Sequence, residues 1–215
     1  MTALDYKLKQ IVNQFNNNDQ NKAFSDLKKL IEEYPNDIKI NDVYYQIAIK
    51  FNMLDEALKS LKLLHKFSSD KQKYILKIYP IYIKKGELDN SLKYINKILN
   101  SNNNYNNHLL YRDKAYVLYL KNDINNSKKF IELALKFKQS DYFTFNITGL
   151  ILVKLRKYYE AISYFEKAVK INPKYIDGYN NLGNCYYELE DLKNSFFNYK
   201  ISYKLDKKNH TSLIN

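Results

Sequence analysis

The feature that most constrains the fold of this chain is a small residue that returns every 34 positions. Ala or Ser occupies six such positions in two series, which are Ala23, Ala57 and Ser91, then Ser127, Ala161 and Ser195. A step of 36 positions joins the two series, so one interval carries two extra residues. Self-similarity at this kind of period is typical of repeat architectures, in which each unit packs against its neighbours. The sequence therefore predicts six consecutive repeats.

Apolar residues flank each small residue at helical spacing. Four positions later the chain has Leu27, Leu61, Ile95, Ile131, Phe165 and Tyr199. Seven positions later it has Leu30, Leu64, Ile98, Ala134, Ala168 and Ser202. Three positions earlier, five of the six residues are apolar, in the series Gln20, Leu54, Leu88, Ile124, Tyr158 and Leu192. These offsets follow one stripe of an α-helix, so each repeat is predicted to contain one amphipathic helix around its small residue.

A second helix is predicted earlier in each repeat. Twelve positions before the small residues lie Ile11, Tyr45, Tyr79, Ala115, Gly149 and Gly183. Short turns such as Lys85-Gly86-Glu87 separate the two helices, and Pro35 and Pro173 fall at the same place just past the second helix, where proline ends a helix. The predicted units are 4–37, 38–71, 72–105, 108–141, 142–175 and 176–209.

The two helices together resemble the tetratricopeptide repeat, in which an aromatic residue, Leu-Gly and Tyr precede a central Ala, a large apolar residue, a second Ala and Pro. The last unit has the first half of this pattern in Tyr179, Leu182, Gly183 and Tyr186, and the fifth unit has the second half in Ala161, Phe165, Ala168 and Pro173. The resemblance covers almost the whole chain, although units 1 to 3 have lost most of the first-helix signature. It implies an all-α, right-handed superhelical solenoid of antiparallel helix pairs, forming one domain over residues 1–215.

The resemblance also implies a function, which is that of a non-enzymatic scaffold or adaptor. In such proteins the first helices line a concave groove that holds a segment of another protein. The residues expected to face this groove in units 4 to 6 are Arg112, Tyr116, Tyr119, Phe143, Asn146, Leu150, Val153, Asn180, Asn184 and Tyr187. Amides can pair with the backbone of an extended peptide, and aromatic rings provide anchoring area. The alternative is that adjacent repeats cover much of this stripe.

The charge of the chain suggests a second class of partner. The net charge is +12, and Arg112 and Arg156 are the only arginines among 35 basic residues. A lysine-rich face could bind RNA or an acidic protein surface. The excess is spread along the chain, however, and residues encoded by A+T-rich codons are abundant, so codon bias explains it equally well. RNA or acidic-surface binding is therefore the alternative function.

The sequence offers no catalytic or metal-binding pattern. It has one cysteine, Cys185, at an interior position of a predicted helix, and its histidines His65, His108 and His210 share no helix face at metal-ligand spacing. Glycine is scarce, which argues against a Gly-rich phosphate loop. We therefore expect no enzyme activity, no cofactor and no metal, and we expect Cys185 to be a buried, unreactive thiol.

Three further expectations concern location and irregular positions. The first residues lack the pattern of a signal peptide, and no long apolar run is present, which favours a cytoplasmic protein without a membrane span. Pro80 is expected to kink a first helix, and the Asn-rich stretch 100–107 is predicted to be either a plain surface loop or a hinge. Aromatic residues of the last helix, such as Phe196 and Phe197, could support self-association.

Overall fold

The computed structural model describes residues 2–17, 19–101, 107–137 and 141–206. Within these ranges the chain is all-helical, with twelve helices and no strand. The helices are α1 (Ala3–Asn16), α2 (Gln20–Glu33), α3 (Ile38–Lys50), α4 (Leu54–Phe67), α5 (Lys71–Lys84), α6 (Leu88–Leu99), α7 (Asn107–Leu120), α8 (Ile124–Leu135), α9 (Tyr142–Lys154), α10 (Tyr158–Ile171), α11 (Ile176–Glu188) and α12 (Leu192–Leu205). The predicted all-α fold of six helix pairs is confirmed.

The helices group into two compact units. The first spans residues 1–101 and contains α1 to α6, and the second spans residues 102–215 and contains α7 to α12. Each unit thus holds three of the predicted repeats. The Asn-rich stretch that we predicted as a loop or hinge falls largely on residues 102–106, which lie outside the described residues. The single domain over residues 1–215 stays a prediction.

The small residues lie where the two helices of each pair come closest. All six are buried, and five of them have no exposed surface. Where the small residue is serine, its hydroxyl donates to the backbone carbonyl twelve positions earlier, in the first helix of the same pair. These bonds join Ser91 Oγ to Tyr79 O at 3.2 Å, Ser127 Oγ to Ala115 O at 2.7 Å and Ser195 Oγ to Gly183 O at 3.0 Å. Serine therefore replaces alanine at this position without leaving a buried hydroxyl unpaired.

The columns around the small residue are buried to different degrees. The residues four and seven positions later are all buried, as the stripe predicted. The column three positions earlier was also expected on the buried stripe, but Leu192 is 63% exposed and Gln20 is exposed. The other four residues of this column are half-buried. Gln20 is the one polar member of the column, so the prediction of a buried apolar residue is wrong only at Leu192.

The turns inside five of the helix pairs share one backbone conformation. Asn52, Gly86, Asn122, Arg156 and Glu190 all have positive φ, between 56° and 75°. The next residue donates to the carbonyl five positions earlier, as in the 2.9 Å bonds from Glu87 N to Tyr82 O and from Asp191 N to Tyr186 O. These bonds close a Schellman motif, which ends a helix with a left-handed residue. Only one of the five residues is glycine, so the usual sequence signal of this turn is absent in four pairs.

Two glycines lie opposite the aromatic residues of the buried stripe. A Cβ atom on Gly149 would lie 2.5 Å from Phe165, and one on Gly183 would lie 2.6 Å from Tyr199. In the pair α7–α8, the same two positions hold Ala115 and Ile131. In the last three pairs, a larger residue on the second helix thus faces a smaller residue on the first, because a close-packed interface has no room for both. The second and third pairs differ, since they hold Tyr45 and Tyr79 on the first helix.

We predict that Gly149→Ala destabilises the protein by about 1–3 kcal/mol, the usual cost of overpacking a core. The double variant Gly149→Ala/Phe165→Ile reproduces the combination of Ala115 and Ile131, and should lose less free energy of unfolding than the two single variants together. Urea denaturation of the four proteins measures this coupling.

Gly86→Ala serves as the control for this cycle. No atom lies within 4 Å of its added Cβ, although the φ of 75° makes any side chain unfavourable there. The losses of free energy of unfolding in Gly86→Ala and Phe165→Ile should therefore add up in the double variant. If the losses in Gly149→Ala and Phe165→Ile also simply add up, the proposed match between the two helices is contradicted.

Candidate functional site

The residues that we expected in a partner-binding groove all lie in the unit of residues 102–215, on its three first helices. Arg112, Tyr116 and Tyr119 belong to α7; Phe143, Asn146, Leu150 and Val153 belong to α9; Asn180, Asn184 and Tyr187 belong to α11. Helix α9 packs against α7 and also against α11. The three first helices of this unit are therefore neighbours, and we call the surface formed by these ten residues the first-helix face.

Aromatic residues of the first-helix face pack against the core of the unit. The rings of Tyr116 and Phe143 meet edge to face, with centroids 5.5 Å apart. Together with Tyr119 they cover a buried cluster that includes Ala115, Ile131 and Ile147. All three aromatic residues are half-buried. Their rings are thus held in place by packing, and part of each remains accessible.

Arg112 is engaged inside the protein. Its Nε donates to Asp113 at 2.8 Å, and its Nη1 donates to Asp141 at 2.5 Å. Its guanidinium also stands over the ring of Phe143, 5.2 Å from the centroid. The side chain is 16% exposed, so Arg112 joins α7 to the start of α9 and has two internal carboxylates as partners. On the first-helix face it contacts the ring of Phe143.

Asp141 caps α9 and accepts several hydrogen bonds. The backbone N–H of Thr144 donates to it at 2.7 Å and the Thr144 hydroxyl at 2.8 Å, in addition to Arg112. Burial by itself would raise the pKa of this carboxyl. The bonds from Thr144 and the positive charge of Arg112 outweigh burial, and the pKa of Asp141 lies below its usual value.

His108 extends this network, which sequence reasoning missed. Its ring Nε2 lies 3.1 Å from the Thr144 hydroxyl, and the residue is buried. Because Thr144 has one hydroxyl proton and donates it to Asp141, His108 must donate from a protonated Nε2. Burial lowers the pKa of His108, and the negative charge of Asp141 opposes this effect only in part. The sequence placed His108 only at a helix start and gave no sign of its partner.

The amides of the first-helix face differ in accessibility. Asn146 is 4% exposed and accepts a hydrogen bond at 2.8 Å from Asn181, which links α9 to α11. Asn181 was not among the expected residues, since its spacing from Asn146 is 35 rather than 34. Asn184 is exposed and accepts from the Tyr199 hydroxyl at 2.5 Å. Asn180 is half-buried. Asn146 is therefore a structural link, while Asn184 is open to a partner.

Apolar residues complete the face between α9 and α11. Leu150 and Val153 are half-buried and pack against the cluster of Phe165, Leu182 and Cys185. Tyr187 is 52% exposed. Adjacent repeats thus cover part of the stripe, as the alternative expectation held. The accessible part is an apolar and aromatic edge, together with Asn184.

Potential reactive groups are few in the described part of the chain. No group of three or more His, Cys, Asp or Glu side chains that could hold a metal ion occurs there. Cys185 is 1% exposed, and burial, with the charge of Glu188, raises the pKa of its thiol to about 12. A protonated, buried thiol is a poor nucleophile. Across the same residues, no helix is long and apolar enough to cross a membrane.

Comparison with known families identifies the repeats. Two family models described as tetratricopeptide repeat match residues 5–37 and 176–209, and a third, described as TPR repeat, matches residues 149–190. The first two matches coincide closely with the first and last of the six helix pairs. The chain is a tetratricopeptide repeat protein. Among curated protein sequences, none matches it significantly.

Solved structures share this fold at low sequence identity. MamA from Desulfovibrio magneticus RS-1, residue 41 to the end, is 17% identical, with a TM-score of 0.64 over 80% of this chain and 97% of that chain. YrrB, described as a TPR protein with an unusual peptide-binding site, is 18% identical, with a TM-score of 0.57 over 87% and 95%. PilW, a type IV pilus biogenesis factor, is 11% identical, with a TM-score of 0.74 over 99% and 97%. At these identities the likeness concerns the fold.

Tetratricopeptide repeat proteins are generally non-enzymatic scaffolds, so the family supports protein–protein interaction as the general class of function. In α12, the last described helix, Phe196 is 63% exposed and Phe197 is 59% exposed, which is similar to Tyr187 of α11 at 52%. Self-association through this helix stays a prediction.

We predict that His108 makes the stability of the protein depend on pH. Since its pKa in the folded state lies below the ordinary value of 6.5, the unfolded chain binds a proton first as the pH falls. The contribution is fully present well above the unfolded pKa of about 6.5 and is lost as the pH falls through that value toward the lower pKa of the folded state. The free energy of unfolding should therefore fall between about pH 7.5 and about pH 5.5, and this fall should be smaller in His108→Gln, whose amide can still donate to Thr144. An equal fall in both proteins would contradict the prediction.

We also predict that Cys185 is unreactive in the folded protein. At about pH 8, a thiol reagent should modify Cys185 far more slowly in the folded protein than in the protein unfolded by denaturant, because the buried thiol is protonated. The rate of modification, followed by mass spectrometry, measures the difference. Rapid modification without denaturant would show that the thiol is accessible.

Proposed function

We propose that this protein is a scaffold that binds an extended segment of another protein along the first-helix face of its last three repeats. The observation that carries the proposal is the partly accessible apolar edge of Tyr116, Tyr119, Leu150 and Tyr187. The first three of these residues are held by packing against the buried clusters below them. Aromatic anchors whose rotamers are already fixed lose little entropy when a partner binds.

Polar groups beside this edge suit a peptide backbone. Asn184 is exposed and has an amide group that can donate to a backbone carbonyl, while its oxygen accepts from Tyr199. Lys154 lies near Tyr119, with its Nζ 5.9 Å from the ring centroid, and adds a positive charge at the margin. YrrB, a structure of the same fold, is described as having a peptide-binding site, which supports this class of ligand.

The alternative function, binding of RNA or of an acidic surface through a lysine-rich face, has weaker support. In the described part of the chain, several lysines stand over aromatic rings rather than forming one exposed block. Lys114 Nζ lies 3.9 Å from the centroid of Phe130, and Lys167 Nζ lies 4.6 Å from that of Tyr164. Such contacts give lysine a structural use, since a cation is attracted to the face of an aromatic ring. Part of the positive charge is thereby accounted for without a polyanion.

We predict that Tyr187→Ala weakens binding of a peptide selected from a displayed random library by about tenfold, or ~1.4 kcal/mol. Tyr187 lies on the first-helix face and is accessible, so its removal should take contact area from the partner without opening the core. Fluorescence polarisation of the labelled peptide measures the affinity.

Tyr159→Ala is the matched control. Tyr159 is 78% exposed and lies on α10, a second helix, away from the first-helix face. Its replacement should leave the affinity unchanged, and an equal loss in both variants would contradict the proposed site. Affinity that collapses between about 50 mM and about 200 mM salt would instead favour the polyanion alternative.

A further inference from the structure

A second candidate site lies in the other unit, residues 1–101. A pocket of about 380 Å³ opens between α3 and α5, with Ile49, Leu76, Pro80 and Ile81 among its apolar lining residues and Lys77 and Lys84 among its polar ones. This volume is within the range of small ligand sites, which is about 300–1,000 Å³. The pocket involves no residue of the first-helix face described above.

Pro80 distinguishes this pocket from the matching place in other repeats. Helix α5 continues through Pro80, and the predicted kink stays a prediction. Proline in a helix interior costs about 3 kcal/mol, because it lacks an N–H and its ring contacts the preceding turn. The carbonyl of Leu76 therefore receives no bond from residue 80. The corresponding positions of the last three repeats hold Tyr116, Leu150 and Asn184, so a compact ring replaces larger side chains of the first-helix face.

The lysines of the pocket lack internal carboxylate partners. Lys77 and Lys84 are exposed, and within the described ranges neither forms an ion pair; Lys77 lies 5.8 Å from the ring centroid of Tyr45. The neighbouring lysines differ, since Lys73 pairs with Asp42 at 3.7 Å and Lys85 pairs with two carboxylates. No acidic residue lines the pocket. Its charge is therefore positive and uncompensated.

The spacing of the two lysines defines the ligand further. Lys77 and Lys84 are seven positions apart on α5, which puts them on one face of the helix and roughly 10 Å apart along its axis. Pro80 and Ile81 lie between them on the same face. In an extended peptide, the side chains two positions to either side of a central residue lie on the same face as that residue and about 13 Å apart. Their carboxylates can each meet one of the flexible lysine side chains while the central residue faces the apolar lining.

We propose that this pocket binds a large apolar side chain of an acidic protein segment, whose carboxylates on either side of that residue pair with Lys77 and Lys84. The apolar lining provides the affinity for the central side chain, and the lysines select an acidic sequence around it. The pocket shares no residue with the first-helix face, so the two proposals can fail separately.

The test uses three capped seven-residue peptides and the full chain. The first peptide has a central Leu with two Glu on each side and a Gly at each end; the second has Ser in place of Leu, and the third has Gln in place of every Glu. NMR titration should show that the first peptide shifts the amide resonances of Ile49, Leu76 and Ile81. The other two should bind at least tenfold more weakly. Capped ends exclude recognition of a free terminal carboxylate.

Two double variants with the same change of net charge separate the pocket from the general charge of the protein. Lys77→Glu/Lys84→Glu should weaken the binding of the first peptide at least tenfold. Lys22→Glu/Lys93→Glu, which changes two exposed lysines outside the pocket lining, should retain its affinity. All four lysines are on the surface, so both variants should keep the far-ultraviolet circular dichroism of the parent.

Several outcomes would overturn the proposal. The first is that the Leu peptide produces no shifts at the three residues, and the second is that the Ser peptide binds as tightly, which would reduce the site to a charged surface. The third is an equal loss in both double variants. Tighter binding of a single-stranded RNA oligonucleotide at the same residues would assign the lysines to a nucleic acid instead.

Discussion

The close contact between the two helices of each pair is the constraint on which the rest of this structure depends. A small residue on the second helix lies against the first, and in three pairs a serine hydroxyl at this point bonds to the backbone of the facing helix. In the last two pairs, the helices leave little volume for the residues beside the contact. The glycines opposite Phe165 and Tyr199 are one consequence, because a Cβ atom would overlap with those rings. A second consequence is that the two helices of a pair cannot bury all of their apolar residues against each other, so neighbouring pairs must cover the rest.

The residues expected to bind a partner serve this packing as well. Phe143 and Tyr116 pack on a buried cluster, Arg112 connects α7 to the cap of α9, and Asn146 connects α9 to α11. A surface built in this way is preorganised, since its side chains are already held before a ligand arrives. It also means that substitution of the buried members would disturb the fold, so only the exposed members report on binding. Asn146 and Asn184, which lie on different first helices and in neighbouring columns of the repeat, differ in this way, since the first is buried and the second is exposed.

The high lysine content has more than one explanation at the level of individual residues. Some lysines lie over aromatic rings, some pair with carboxylates of the preceding repeat, and Lys77 and Lys84 flank an apolar pocket without a carboxylate partner. The net charge of the chain does not show these differences, because it does not depend on how deeply each lysine is buried or on how far it lies from other groups. Recognition of a partner depends on the lysines whose charge remains uncompensated, and these are identified by their surroundings and not by their number.

The sequence by itself determined the repeat length, the pairing of helices and the residues at their contact, because a period of 34 and a helical stripe of apolar residues record the packing of every unit. It also identified the helices that carry the candidate site. Only the tertiary structure decided which of those residues are accessible, since the burial of Asn146 and the bonding of Arg112, Thr144 and His108 depend on side chains more than 28 positions apart. The pocket beside Pro80 likewise could not be identified from the sequence. Periodicity records contacts that recur in every repeat, whereas a site arises from contacts that occur in one repeat alone.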